Sequence, residues 1–248
     1  MRSILPRRRP ADEEDEGYFV SMSDMLTGLL FVFIILLLFF AFQFRQTTEE
    51  LTGANEARKA LLKSLEQELV AQKVDVEVDT DNGILRLRGV AMFEINDDRL
   101  TEEGRRSVRL VADALAKHLP CYTDTPDLGP FPCRRTERQR VETLLIEGHT
   151  DAQRRGTGRD TNIDLSALRA INTYLALIEQ QAILDAMQTR NPAGTPQRIM
   201  SVSGYGPTRP LPGFEAPTPE NFQRNRRIDL RFLMATPQSG SLVAGLAR

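Results

Sequence analysis

The stretch VETLLIEGHTD, Val141 to Asp151, decides the fold. It opens on apolar residues and closes on Gly148, His149, Thr150 and Asp151, so it reads as a buried strand ending in a loop. Towards the C-terminus, LSALRAINTYLALIEQQAILDAM, Leu165 to Met187, repeats apolar residues at helical spacing and is closed by NPAG. RIMSVSGYG, Arg198 to Gly206, predicts another strand. A Pro-rich loop then leads to a last strand in NRRIDLRFLM, Asn225 to Met234. Towards the N-terminus, VDVEV (Val74 to Val78) and ILRLR (Ile84 to Arg88) alternate with period two, and Asn82-Gly83 between them is a hairpin signal. LTEEGRRSVRLVADALAKHL, Leu100 to Leu119, predicts an amphipathic helix with Thr101 as its N-cap. Strands alternating with helices after one hairpin predict an α/β (α+β sandwich) domain over residues 74–235.

Ahead of this domain lies SMSDMLTGLLFVFIILLLFFAF, Ser21 to Phe42, uncharged from Met25 onwards. About 20 apolar residues at ~1.5 Å each cross the ~30 Å of a bilayer's hydrocarbon, so a transmembrane helix is expected over residues 18–44. A cleaved signal peptide fits less well, because the bulky AFQFRQ that follows offers no small-residue cleavage site. Arg2 and Arg7 to Arg9 precede the span, which predicts a cytoplasmic N-terminus and an exported C-terminal domain. Residues 1–17, with RRR beside DEEDE, read as a disordered cytoplasmic tail, and residues 236–248 as a second disordered tail. Residues 45–73 carry Leu51, Ala54, Leu61, Leu62, Leu65 and Leu69 among Glu and Lys, which predicts a helical stalk.

The 248 residues carry a formal net charge of -2, which gives no electrostatic case for direct nucleic-acid binding. Two histidines and two cysteines make a His/Cys metal cluster unexpected, and no cofactor is implied. Cys121 and Cys133 both lie between the first domain helix and the VETLLIEG strand, on the side expected to be oxidising. A disulfide between them is expected, with two free or buried thiols as the alternative. His149, Asp151 and Ser166 contain the ingredients of a hydrolase triad, but Ser166 begins a helix without a G-x-S-x-G elbow, so no enzyme is predicted. His149 reads instead as a hydrogen-bonded structural residue of its loop.

Asp24 admits two readings. In one, Asp24, or Ser21 and Ser23 before it, caps the membrane helix. Alternatively it lies within the helix, where Asp24, Thr27, Gly28 and Phe31 share one face and form a polar notch towards a protein partner. Ionisable groups inside membrane spans usually mark ion pathways.

IEGHTD, followed by N..LSALRA and later NRRIDLRF, resembles the OmpA-like peptidoglycan-binding domain, and MFEIND before the first helix extends the likeness. The resemblance implies a mixed sheet with helices on one face and a pocket for the diaminopimelate of the wall's stem peptide. The family's two principal ligand-holding positions fall on Asp151 and Arg169, with Asn162 and Arg226 as supporting contacts. A zwitterionic amino-acid end needs an anion for its ammonium and a cation for its carboxylate, and an arginine offers the latter a planar fork. An internal Asp–Arg salt bridge is the bland alternative. The loop DAQRRGTGRDTN, with three arginines, is longer than usual for the family and could tune or block entry.

A short tail, one membrane helix carrying an aspartate, a stalk and an OmpA-like domain together resemble the MotB family of stator proteins. In that resemblance Asp24, with Thr27, occupies the ion-carrying position; the transported ion is a proton, with sodium as the alternative. The implied partners are peptidoglycan, a second copy in a homodimer, and a MotA/ZorA-type membrane subunit, five of which surround two B subunits. The segment and the arginine- and acid-rich tail look more like ZorB of the Zorya anti-phage defence systems than like flagellar members, whose segment often carries Trp. The resemblance implies a single-pass protein of the bacterial inner membrane with its C-terminal domain in the periplasm. A flagellar MotB-type subunit or a passive membrane-tethered wall anchor are the alternatives.

Overall fold

Helix α1 spans Ala11–Ala71 without a break and serves two structurally separate units. The computed structural model describes residues 11–88, 92–93, 96–125, 139–153, 161–190 and 194–235; for residues 11–18 and Glu50 the backbone alone is described. Compact units comprise Met1–Glu50 and Leu51–Arg248.

In the first unit the apolar residues from Phe19 to Phe44 point outward on every side of α1. A helix that is hydrophobic all round suits a lipid surrounding. Its most apolar 18-residue window has a mean hydropathy of 2.9, so the helix is long and apolar enough to cross a membrane. Among the described residues the helix already covers Ala11 to Gly17, inside the segment expected to be a disordered tail.

In the second unit α1 changes character. Leu61, Leu62, Leu65 and Leu69 are fully buried and belong to the domain core. The expected stalk over residues 45–73 is therefore no free spacer over its second half: the boundary falls at Leu51, and the leucine stripe is a packing face. Polar contacts fix it at both ends. Arg58 donates to the Asp81 carbonyl at 2.8 Å, and Glu68 accepts from Lys117 Nζ at 2.9 Å with His118 Nε2 at 2.6 Å.

The hairpin forms as predicted. β1 (Val76–Asp79) and β2 (Ile84–Arg88) pair antiparallel, and Gly83 takes the positive φ of +72° that the turn requires. α2 (Glu102–His118) is capped by Thr101, whose hydroxyl accepts from Gly104 N at 2.9 Å. A 3-10 turn, Leu119–Tyr122, follows. β3 is Val141–His149, α3 Asn162–Gln180 and α4 Ile183–Ala186, so the single helix expected over 165–187 is split at Gln181. Thr161 and Asp164 close a reciprocal capping box on α3, which sets its start earlier than apolar periodicity alone suggests. β4 (Gln188–Arg190) and β5 (Pro196–Arg198) form a separate small hairpin, and the expected strand begins instead at β6, Met200–Gly206. The Pro-rich loop contains α5, Pro219–Asn225, started by the Thr218 cap and Pro219. β7 is Arg227–Met234.

The main sheet has the order β1-β2-β7-β3-β6, with β3 and β6 parallel and the other pairs antiparallel. One face, carrying Leu85, Leu230 and Ile146, packs into the core with α2 and α3. A Cβ at Gly148 would overlap the Ser166 carbonyl, so this glycine lets α3 lie directly on β3. The α/β architecture expected for the C-terminal domain is the one observed.

Candidate functional site

Three elements converge at the C-terminal end of β3. Asp151 follows the strand, Asn162 opens α3, and Arg226 joins α5 to β7. Arg226 Nη1 donates to Asp151 Oδ2 at 2.5 Å, while Gln153 N donates to Asp151 Oδ1 at 2.9 Å. Asn162 Nδ2 donates to the carbonyls of Asp151 and Gln153 at 3.3 and 2.8 Å, pinning this loop to the helix. Asp151 is 7% exposed, whereas the Arg226 side chain keeps 29% of its surface in solvent. Three of the four residues picked from the sequence therefore form one cluster. Arg169 stands two turns further along α3, buried: its Nε donates to the Asp97 carbonyl at 2.9 Å and its guanidinium lies 5.0 Å over the Phe93 ring. The cation paired with Asp151 is thus Arg226, which sequence reading had cast as a supporting contact. The arginines of the DAQRRGTGRDTN loop fall at 154, 155 and 159, outside the described residues.

The sheet's second face carries a charge network that sequence reading passed over. Register puts Arg86, Asp229 and Glu147 in one row across β2, β7 and β3. Arg86 Nε and Arg227 Nε donate to the two Asp229 oxygens, each at 3.1 Å, and Arg86 Nη1 reaches Glu77 at 2.8 Å. Arg231 clamps Glu147 with two bonds of 2.9 Å. The signal was in the alternation: ILRLR, RRIDLRF and LIEGH put charged residues on every second position.

His149 lies against this network, 2% exposed, stacked on Tyr205 at 5.4 Å. Among the described residues neither ring nitrogen has a hydrogen-bond partner, Nε2 standing 3.6 Å from Asp229 Oδ2. Burial first, and then the charges of Arg227, Arg209, Arg86 and Arg231, push its pKa down to about 2, so the imidazole is neutral. Ligand atoms of Glu147, His149 and Asp229 lie within 4.8 Å of one another. Both carboxylates are already saturated by guanidinium groups, and a divalent cation would face three of these at close range, so the donor set does not suit a metal. The triad ingredients are not assembled for catalysis either. Ser166 Oγ donates to the Ile163 carbonyl at 2.7 Å and accepts from Gly206 N at 2.8 Å, and His149 is a very weak base.

In the first unit, Asp24 lies well past the first turn of α1 and caps nothing. Thr27 Oγ1 donates to the Ser23 carbonyl at 2.8 Å. Among the described residues nothing lies within 4 Å of a Cβ built on Gly28. Cys121, in the 3-10 turn, is disulfide-bonded; Cys133, its expected partner, lies outside the described residues.

No family model matches the chain, and no curated protein matches it. Solved structures do resemble it. A MotB-like protein of Desulfovibrio vulgaris is 20% identical, with a TM-score of 0.49 over 72% of this chain and 95% of that one. The cell wall anchor of the T6SS from Pseudomonas aeruginosa is 22% identical, with a TM-score of 0.44 over 72% and 97%. The periplasmic domain of Helicobacter pylori MotB is 22% identical, with a TM-score of 0.42 over 69% and 95%.

Proposed function

We propose that this chain is the B (stator) subunit of an ion-driven rotary motor in the bacterial inner membrane, anchored to peptidoglycan and serving anti-phage defence of the Zorya type. Its N-terminus faces the cytoplasm and its domain the periplasm, following the arginines ahead of the span. It works as a homodimer within a MotA/ZorA-type ring. Asp24 carries the ion, a proton, with Thr27 beside it. The interior helical position of Asp24 and the unfilled space at Gly28 support this role, because neither capping nor packing within the chain accounts for the two residues. A proton descending ~100 mV releases about 2.3 kcal/mol, enough to drive repeated small steps.

The observation that carries wall binding is the Asp151–Arg226 pair at the β3 end, held by Asn162 and partly open to solvent at Arg226. A zwitterionic amino-acid end can insert into such a pair. Its ammonium takes over Asp151 while its carboxylate takes a guanidinium, so each charge exchanges one partner for another and none is left bare. Pull-down of the detergent-solubilised chain by isolated sacculi tests this. Loss of a charged hydrogen bond costs about 1.5–3 kcal/mol, so Asp151→Ala or Arg226→Ala should weaken binding roughly ten- to a hundredfold. Both variants should still melt cooperatively, which separates lost binding from a lost fold. Unaltered binding in both variants would leave Asp151–Arg226 as an internal salt bridge only.

A further inference from the structure

The two edges of the main sheet differ in chemistry. β1 carries Glu77 and Asp79 within its four residues, and charge on an edge strand deters pairing with another chain. β6 carries no charge from Met200 to Gly206, and among the described residues no strand pairs with its outer side. α3 runs beside it. A Cβ on Gly206 would meet Ile163 Cδ1 at 2.9 Å, and a Cβ on Gly204 would meet Ala167 Cβ at 2.7 Å. Four helical residues rise about 6 Å and two strand residues about 6.6 Å, so the same stepping carries the helix on to Ile171 where the strand reaches Val202. Val202 pairs with the core-facing Ile146, which puts it on the α3 side of the sheet. Ile163, Ile171 and Val202 are nonetheless 44%, 37% and 40% exposed. An apolar strip therefore borders an uncharged strand edge.

We propose that β6 and the adjoining α3 ridge are the surface on which the domain meets a second copy of itself. The two β6 edges pair antiparallel about a two-fold axis near Val202. In such an isologous contact Val202 meets its own copy and residues equally far to either side of it meet each other, so like charges flanking the axis would be brought together. β6 is the edge that satisfies this condition, since β1 would bring Glu77 and Asp79 against their copies. Pairing would extend the sheet across the axis and bring the Ile163 and Ile171 ridges together over the seam. This surface rests on the homodimer reading given above and adds where the domains meet.

Cysteine crosslinking of the full chain in membranes tests it. Cβ atoms directly opposite in an antiparallel pair lie ~4.5–5.5 Å apart, close enough for a disulfide after slight movement. Val202→Cys should give at least about tenfold more reducible dimer than the control Val70→Cys, another exposed position of the same unit, because pairing holds the thiols at high effective concentration. Light scattering of the unmodified chain in detergent is measured alongside. A dimeric chain whose Val202→Cys variant crosslinks no more than Val70→Cys overturns this surface and leaves the homodimer reading intact. A monomeric chain overturns both.

Discussion

Helix α1 holds two populations of leucine in one continuous element. Leu29, in the first unit, is 67% exposed, while Leu61, in the second, is 0% exposed. In the upper stretch the apolar residues cover every side of the helix, and no charge interrupts them between Met25 and Phe42. In the lower stretch they form one stripe among Glu and Lys, and that stripe is the part the domain buries. The difference teaches that hydrophobicity alone does not assign a surrounding. Its angular distribution does, since an all-round apolar surface suits lipid and a stripe suits a protein core.

The largest effect should come from taking the two stretches apart by mutation. Leu65→Ala removes a fully buried side chain and should destabilise the domain by about 2–5 kcal/mol. Leu36→Ala should leave the domain's thermal melting unchanged. Equal effects in the two variants would erase the distinction. The disulfide belongs to the domain side of the same contrast. If Cys121 pairs with Cys133, the closed loop contributes ~3 kcal/mol on the chain-entropy model, and labelling of unreduced, denatured protein should find no free thiol. Two reactive thiols would contradict the pairing.

A smaller effect concerns the end of the buried stretch. Glu68 is partly buried, which by itself would raise its pKa, but hydrogen bonds from Lys117 and His118 outweigh burial and hold it below the usual 4.5. A depressed carboxylate stabilises the fold above its unfolded pKa and loses that contribution as pH falls through the folded value. Below about pH 4.5 the native chain should therefore lose stability more steeply than Glu68→Gln. Parallel acid melts for the two proteins would show that Glu68 does not tie α1 to α2.

Much of the fold was legible because local signals agreed with one another. Asn82-Gly83 fixed the hairpin, Thr101 capped α2 where expected, and the strand ending in GHTD placed Asp151 at the site. The split of the helix after Gln180 was less legible, because its apolar spacing runs on through Leu184 although the backbone departs from helix at Gln181. The role of residues 51–71 was hidden for a different reason. A buried stripe and a coiled-coil or stalk stripe have the same periodicity, and the tertiary partner decides between them. At the site, residue types pointed to an acid and an arginine but not to which arginine. Arg226 and Arg169 both follow from motif positions, and geometry alone joined Asp151 to Arg226. The charge network around Asp229 needed the register of three strands, which no single segment contains.

The most direct test of the motor reading is Asp24→Asn in the intact membrane complex. Asn is nearly isosteric with Asp and, were this position a cap, would serve it about as well. It cannot cycle between protonated and charged forms. Co-purification with the membrane partner and activity, read as phage protection or as motility, should be measured on the same cells. The variant should assemble at the normal level and lose its activity. Full activity at normal expression would contradict ion carriage by Asp24 and leave a passive membrane-tethered wall anchor as the better reading.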